Sequence, residues 1–126
     1  PDATKTTQRL ASDSQSGHYA LVSDPRWTLL ENTREPLLTA FGESGVNRVE
    51  YTAAFPHVDT FAVWLCTQSD EQRDKLARSR MVTPMVHEVF VGVGFTSPQL
   101  GELSIEVQSQ ETVDRDYERS WFYATR

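Results

Sequence analysis

The stretch Val46–Thr67, VNRVEYTAAFPHVDTFAVWLCT, constrains the fold of this chain more than any other. It reads as a β-hairpin turning at Phe55-Pro56-His57-Val58-Asp59. In the first arm Val49, Tyr51, Ala53 and Phe55 alternate with Arg48, Glu50, Thr52 and Ala54, the period-2 pattern of a strand with one face buried. The second arm, Thr60–Thr67, is apolar on both sides: Phe61, Val63 and Leu65 on one, Ala62, Trp64 and Cys66 on the other. A strand of that kind needs cover on both faces. What covers its second face, another element of the chain or a partner, is the question the sequence poses.

The segments around the hairpin predict helices and one further strand. Asp24-Pro25 is a helix-start signal, followed by Trp27, Leu29 and Leu30, which anchor this arm to the core. Asn32 and Glu35 form a capping-box pattern, so the first helix is expected over 33–43, with Pro36 in its first turn and Gly42 and Gly45 as its stop. Ser69 and Gln72 make a second capping box for a helix over 70–80. Thr83-Pro84 opens a third over 84–93, although its end, VFVGVGF, also suits a strand. Leu103, Ile105 and Val107 alternate with polar residues as a half-buried strand. Residues 110–118 suggest a short helix, and Ser120–Ala124, with three consecutive aromatics, an extended segment packed on the sheet or on the first helix.

The order α-β-β-α-α-β-α points to an α+β two-layer sandwich: an antiparallel three-stranded, or four-stranded, sheet with helices on one face. With 126 residues the chain has the length of one domain. Residues 1–18 are polar apart from Leu10 and read as a loosely attached tail, leaving 19–126 as the domain; Tyr19–Val22 is an edge strand or a packed extended segment.

Eighteen acidic residues against twelve basic give a net charge of −6. Phosphate binding needs the reverse balance, so nucleic acid is not the expected partner, whereas a basic protein is. Cys66 is the one cysteine, which rules out an intrachain disulfide and fits a reducing cytoplasm. No apolar run is long enough for a bilayer, so no membrane partner is expected, and the N-terminus lacks the apolar core of a signal peptide. A chain opening with Pro fits removal of a leader.

Motifs that could carry chemistry reduce to structural readings. His57 and Asp59 are both turn residues, facing solvent. Cys66 with His18, His57 or His87 could make a nucleophile and base, but a Cys at the end of an apolar strand behaves as a small buried hydrophobe. His87-Glu88 lacks paired metal-ligand spacing, and Gly92-Val93-Gly94 lacks the features of a phosphate loop. No catalytic residue, metal site or cofactor is expected. The expected function is a non-enzymatic interaction module, an adaptor, inhibitor or immunity-type protein in the cytoplasm. It would bind another protein through Asp70, Glu71, Asp74, Glu111, Asp114, Asp116 and Glu118 together with Trp64. A homodimer that covers the second sheet face through Trp64 is a related expectation. The alternative is a small-molecule binder or enzyme with a pocket between sheet and helices, lined by Tyr51, Trp64, Phe90 and His57.

Over residues 33–108 the order α-β-β-α-α-β resembles the type II KH domain and the small ribosome-assembly factors built on it. The resemblance implies RNA binding through a Gly-x-x-Gly loop between two helices and a positive surface around Arg73, Arg78 and Arg80. Here that junction reads Arg80-Met81-Val82-Thr83-Pro84, without the loop.

Overall fold

The first helix starts at Asp24, not at Asn32. In this computed structural model, which describes residues 24–125 except 118, α1 spans Pro25–Phe41. The expected tail 1–18, Tyr19–Val22 and Glu118 lie outside the described residues. The Asp24 side chain accepts the Arg26 N–H and Pro25 occupies N1, where a missing N–H costs nothing. The expected capping box at Asn32 is overridden, because Leu30, Thr33, Leu37 and Phe41 fall on one stripe and all are buried. Pro36 therefore sits inside the helix, on an exposed position, at a cost of about 3 kcal/mol that the packed stripe offsets.

A single 3-10 turn, Gly42–Ser44, leads through Gly45 into the hairpin. Gly45 has φ 97°, which requires glycine, and a Cβ there would displace the end of the Gln72 side chain, 2.6 Å away. Strand β1 is Val46–Ala53 and β2 is Phe61–Thr67, paired antiparallel with Val49 opposite Leu65 and Tyr51 opposite Val63. The connection contains a cis Phe55-Pro56 peptide. After β2 come α2 (Asp70–Ala77), α3 (Val82–Val93) and α4 (Ser97–Leu100), then β3 (Leu103–Ser109). The ambiguous segment 84–93 is thus helical. It ends at Gly94, whose φ of 121° suits glycine alone.

The sheet has the order β1-β2-β3, and β3 runs parallel to β2. The expectation of an antiparallel sheet is corrected to a mixed one. Alternation in β3 gives a strand but not its direction. The direction follows from the long connection through α2, α3 and α4, which returns the chain to the end where β2 begins, as a parallel neighbour demands.

The main core lies on the face of β2 that carries Phe61, Val63 and Leu65, against Leu30, Leu37 and Phe41 of α1 and Val82, Val86 and Phe90 of α3. At the hairpin end, Phe61 meets Phe55, Phe90 and Phe95 with ring centroids 5.3, 6.3 and 5.5 Å away. Trp27 extends this cluster edge-on to Phe55 at 5.6 Å while staying 40% exposed, so it anchors α1 from the rim of the core.

Helices also cover the other face, which corrects the one-sided sandwich. There Cys66 packs with Val113 of α5 (Gln110–Asp116) and with Trp121 and Ala124 of α6 (Trp121–Ala124), with Trp64 and Tyr117 alongside. The expected extended segment at Ser120–Ala124 is this short helix. Three adjacent aromatics favour a strand by propensity, but a helical turn brings Trp121 and Ala124 onto the same side.

Candidate functional site

The acidic residues singled out in the sequence are brought together where α2 and α5 begin. Both helices start at the same end of the sheet, because each follows directly on one of the two parallel strands: Ser69 caps α2 two residues after β2, and Ser109, the last residue of β3, caps α5. Glu111 bridges the two starts, its carboxylate accepting the Asp70 N–H at 2.7 Å while its own N–H donates to the Gln68 carbonyl at 3.2 Å.

Asp70 is the hub of this junction. Its carboxylate accepts the Ser109 hydroxyl, the Thr112 hydroxyl at 2.8 Å and the Arg115 guanidinium at 3.0 Å, with Arg73 at 3.5 Å. Arg73 also donates to Thr112 at 2.7 Å and to Gln108 at 3.2 Å. Ser109 and Thr112 are buried polar residues, so their satisfaction by Asp70 removes a desolvation penalty. The hydroxyl bonds from Ser109 and Thr112, with Arg115, hold the Asp70 carboxyl well below the usual carboxylate range. The sign follows: stability from this group is complete above about pH 4, the unfolded value, and is lost as pH falls toward the folded pKa. The variant Asp70→Asn is therefore expected to lower the thermal midpoint at pH 7 and to flatten its acid dependence below pH 4. An unchanged midpoint and acid limb in thermal melts would contradict this role.

The other acidic residues divide by partner. Asp74 pairs with Arg73 at 3.0 Å, Asp116 with Arg115 at 3.2 Å, and Asp114 accepts the Gln110 amide at 2.8 Å. Glu71, Asp74, Glu111, Asp114 and Asp116 are exposed. Arg73, Lys75 and Arg115 are the basic residues of α2 and α5, and the carboxylates outnumber them. Arg73, one of the residues of the positive surface that the KH resemblance implies, is thus tied into the acidic junction. Sequence reasoning named these acids but missed Ser109, Thr112 and Arg115 as the residues that join them; Ser109 and Thr112 carry the signal of a cap three residues before its bonded N–H.

Trp64 stands apart from this group, on the second sheet face between Glu50 and Glu106. Its indole N–H donates to the Thr52 hydroxyl at 3.0 Å, and that hydroxyl donates to the Thr125 carbonyl at 3.2 Å. Trp121 lies beside it, under the Arg48 guanidinium 5.1 Å from the ring and bonded to Gln110 at 3.0 Å. Cys66, fully buried here, has its thiol pushed up to about 12 by burial.

The expected pocket residues do not converge. Tyr51 lies on the core face, its hydroxyl 2.6 Å from that of Thr33, and Phe90 is fully buried in the core. Trp64 is on the opposite face, and His57 is exposed in the hairpin connection, near the Arg26–Asp59 ion pair. An open groove of about 350 Å³ lies elsewhere, lined by Thr52, Thr60, Ala62, Glu102 and Ser104 among others. No group of three or more His, Cys, Asp or Glu suited to a metal is present among the described residues, and no helix there is long and apolar enough to cross a membrane.

Comparison with family models, with curated proteins and with solved structures finds no match to this chain.

Proposed function

We propose that this protein is a non-enzymatic interaction module that docks a basic protein partner on the acidic surface of α2 and α5. One observation carries the reading: two acidic stretches about 40 residues apart in sequence, 70–74 and 111–116, are locked side by side by the Asp70 bonds to Glu111 and Arg115. Pre-organised carboxylates on helices of a rigid junction steer a cationic partner and fix its orientation. Asp70 and the arginines hold the surface in shape, while Glu71, Glu111, Asp114 and Asp116 face the partner.

The reversal Asp114→Lys with Asp116→Lys tests it. A partner recovered with the wild-type protein from its native lysate, once identified and purified, is expected to lose about tenfold or more in affinity and much of its salt dependence, since two exposed charges change sign. Unaltered affinity and salt slope in titration calorimetry would rule out the acidic surface.

A further inference from the structure

The two edges of the sheet are built differently. On β1 the pairing register shifts between Val46 and Arg48, Arg48 and Glu50 place charges along the strand, and Arg34 of α1 donates to the Val49 carbonyl. A bulge, charged side chains and an occupied carbonyl are the devices that keep an edge from pairing further. Strand β3 has none of these except Glu106: its register with β2 is continuous over Leu103–Ser109, and it contains no proline.

The direction of its free backbone groups is set by the ladder. Phe61 N–H donates to the Glu102 carbonyl, so Glu102, Ser104, Glu106 and Gln108 point their polar groups at β2. Those of Leu103, Ile105 and Val107 point outward, and among the described residues they have no hydrogen-bond partner. The same three residues carry apolar side chains on the core face that are only half-buried, whereas Val63 and Leu65 of β2 on that face are fully buried. Among the described residues, an unpaired backbone and an incompletely covered apolar margin thus coincide on one strand. Helix α2 packs beside β3, and its hydrogen bonds fall at the C-terminal end of the strand, through Arg73 to Gln108 and Asp70 to Ser109.

We propose that this edge pairs with the same edge of a second copy of the chain, antiparallel about Ile105, to make a continuous six-stranded sheet. The register is self-complementary. Ile105 meets its own copy and Leu103 meets Val107 across the two-fold axis, and because all three point outward these are hydrogen-bonded pairs that bury the half-covered margin. On the other face Ser104 stands opposite Glu106, a hydroxyl beside a carboxylate, and no like charges are directly opposed. Within one chain the Ser104 hydroxyl already donates to Glu106, two residues away on the same face. A net charge of −6 on each copy opposes the association, so screening favours it. This salt response is opposite in sign to that of docking a basic partner, which separates the two readings.

Sedimentation velocity on the full chain at 50 and 500 mM NaCl tests the pairing. The wild-type protein is expected to dimerise with rising concentration, more tightly at the higher salt. Ser104→Glu changes an exposed residue, so its folding can be verified by its thermal melt; it puts two carboxylates opposite one another twice per dimer and is expected to weaken association about tenfold or more. Adding Glu106→Lys to it turns both repulsions into attractions and is expected to restore the dimer. A wild-type protein that stays monomeric to about 1 mM, where an association stronger than about 4 kcal/mol would be seen, overturns the proposal. So does a Ser104→Glu variant that dimerises like the wild type, or a loss that Glu106→Lys does not reverse.

Discussion

Phe90→Ala is expected to cost about 3–5 kcal/mol of unfolding free energy, the largest single loss in the molecule. Phe90 is fully buried on α3, with its ring 5.0 Å from Phe95 and 6.3 Å from Phe61, so truncation leaves a cavity where helix, hairpin and the α3–α4 connection meet. Against a total stability of about 5–15 kcal/mol for a domain of this size, such a loss removes about a fifth or more of the margin. Urea unfolding followed by circular dichroism measures it as a shift in midpoint at constant m. A change under about 1 kcal/mol would mean that Phe90 lies outside the core.

Trp121→Ala should have the second largest effect, about 3 kcal/mol, and its local consequence is more informative. Trp121 is 9% exposed and closes the second face of β2 over Cys66 and beside Trp64. Its loss also frees the Gln110 amide and removes the ring under Arg48. The substitution is expected to make Cys66 reactive toward iodoacetamide under native conditions while the main core, on the opposite face, keeps its near-ultraviolet signal. A thiol equally protected with and without the indole would show that something other than α6 covers it.

The hairpin was legible because its two faces differ in pattern: Arg48, Glu50 and Thr52 against Val49, Tyr51 and Ala53 in β1, and no polar face in β2. That both faces of β2 are covered was implied by Trp64 and Cys66; that the cover is α5 and α6 was not. Val113 and Trp121 are the apolar residues that do it, and Trp121 lies in an aromatic run whose propensity favours a strand. The direction of β3 was hidden for a different reason. Alternation of Leu103, Ile105 and Val107 is the same read either way, and only the path of α2 and α3 decides it. The start of α1 was visible in Asp24-Pro25 but lost to a better-formed capping pattern at Asn32, because local signals rank without reference to which stripe will be buried.

For the candidate site, residue identity was legible and geometry was not. Asp70, Glu111 and their neighbours stand out as acidic, yet their meeting depends on β2 and β3 ending side by side, which is a consequence of the parallel pairing. The sequence also suggested an exposed acidic face, whereas Asp70, Asp74 and Asp116 are each paired with an arginine of the same two helices. Among the described residues, Glu71, Glu111 and Asp114 are the exposed carboxylates of these two helices that make no ion pair with an arginine. A pocket among Tyr51, Trp64, Phe90 and His57 was not realised because the strand pleat sends Tyr51 and Trp64 to opposite faces, a separation that their cross-strand register makes unavoidable.

The claim on which the account rests is that one chain closes both faces of β2, with α5 and α6 held over the second by the Asp70 junction. Alkylation of Cys66 in the wild-type protein tests it most directly. Buried at 0% exposure with its thiol pushed up to about 12, Cys66 is expected to react about a thousandfold or more slowly than in the unfolded chain, at a rate that follows the opening of the structure in low urea. Labelling in the native state at the rate of a free thiol would contradict the account.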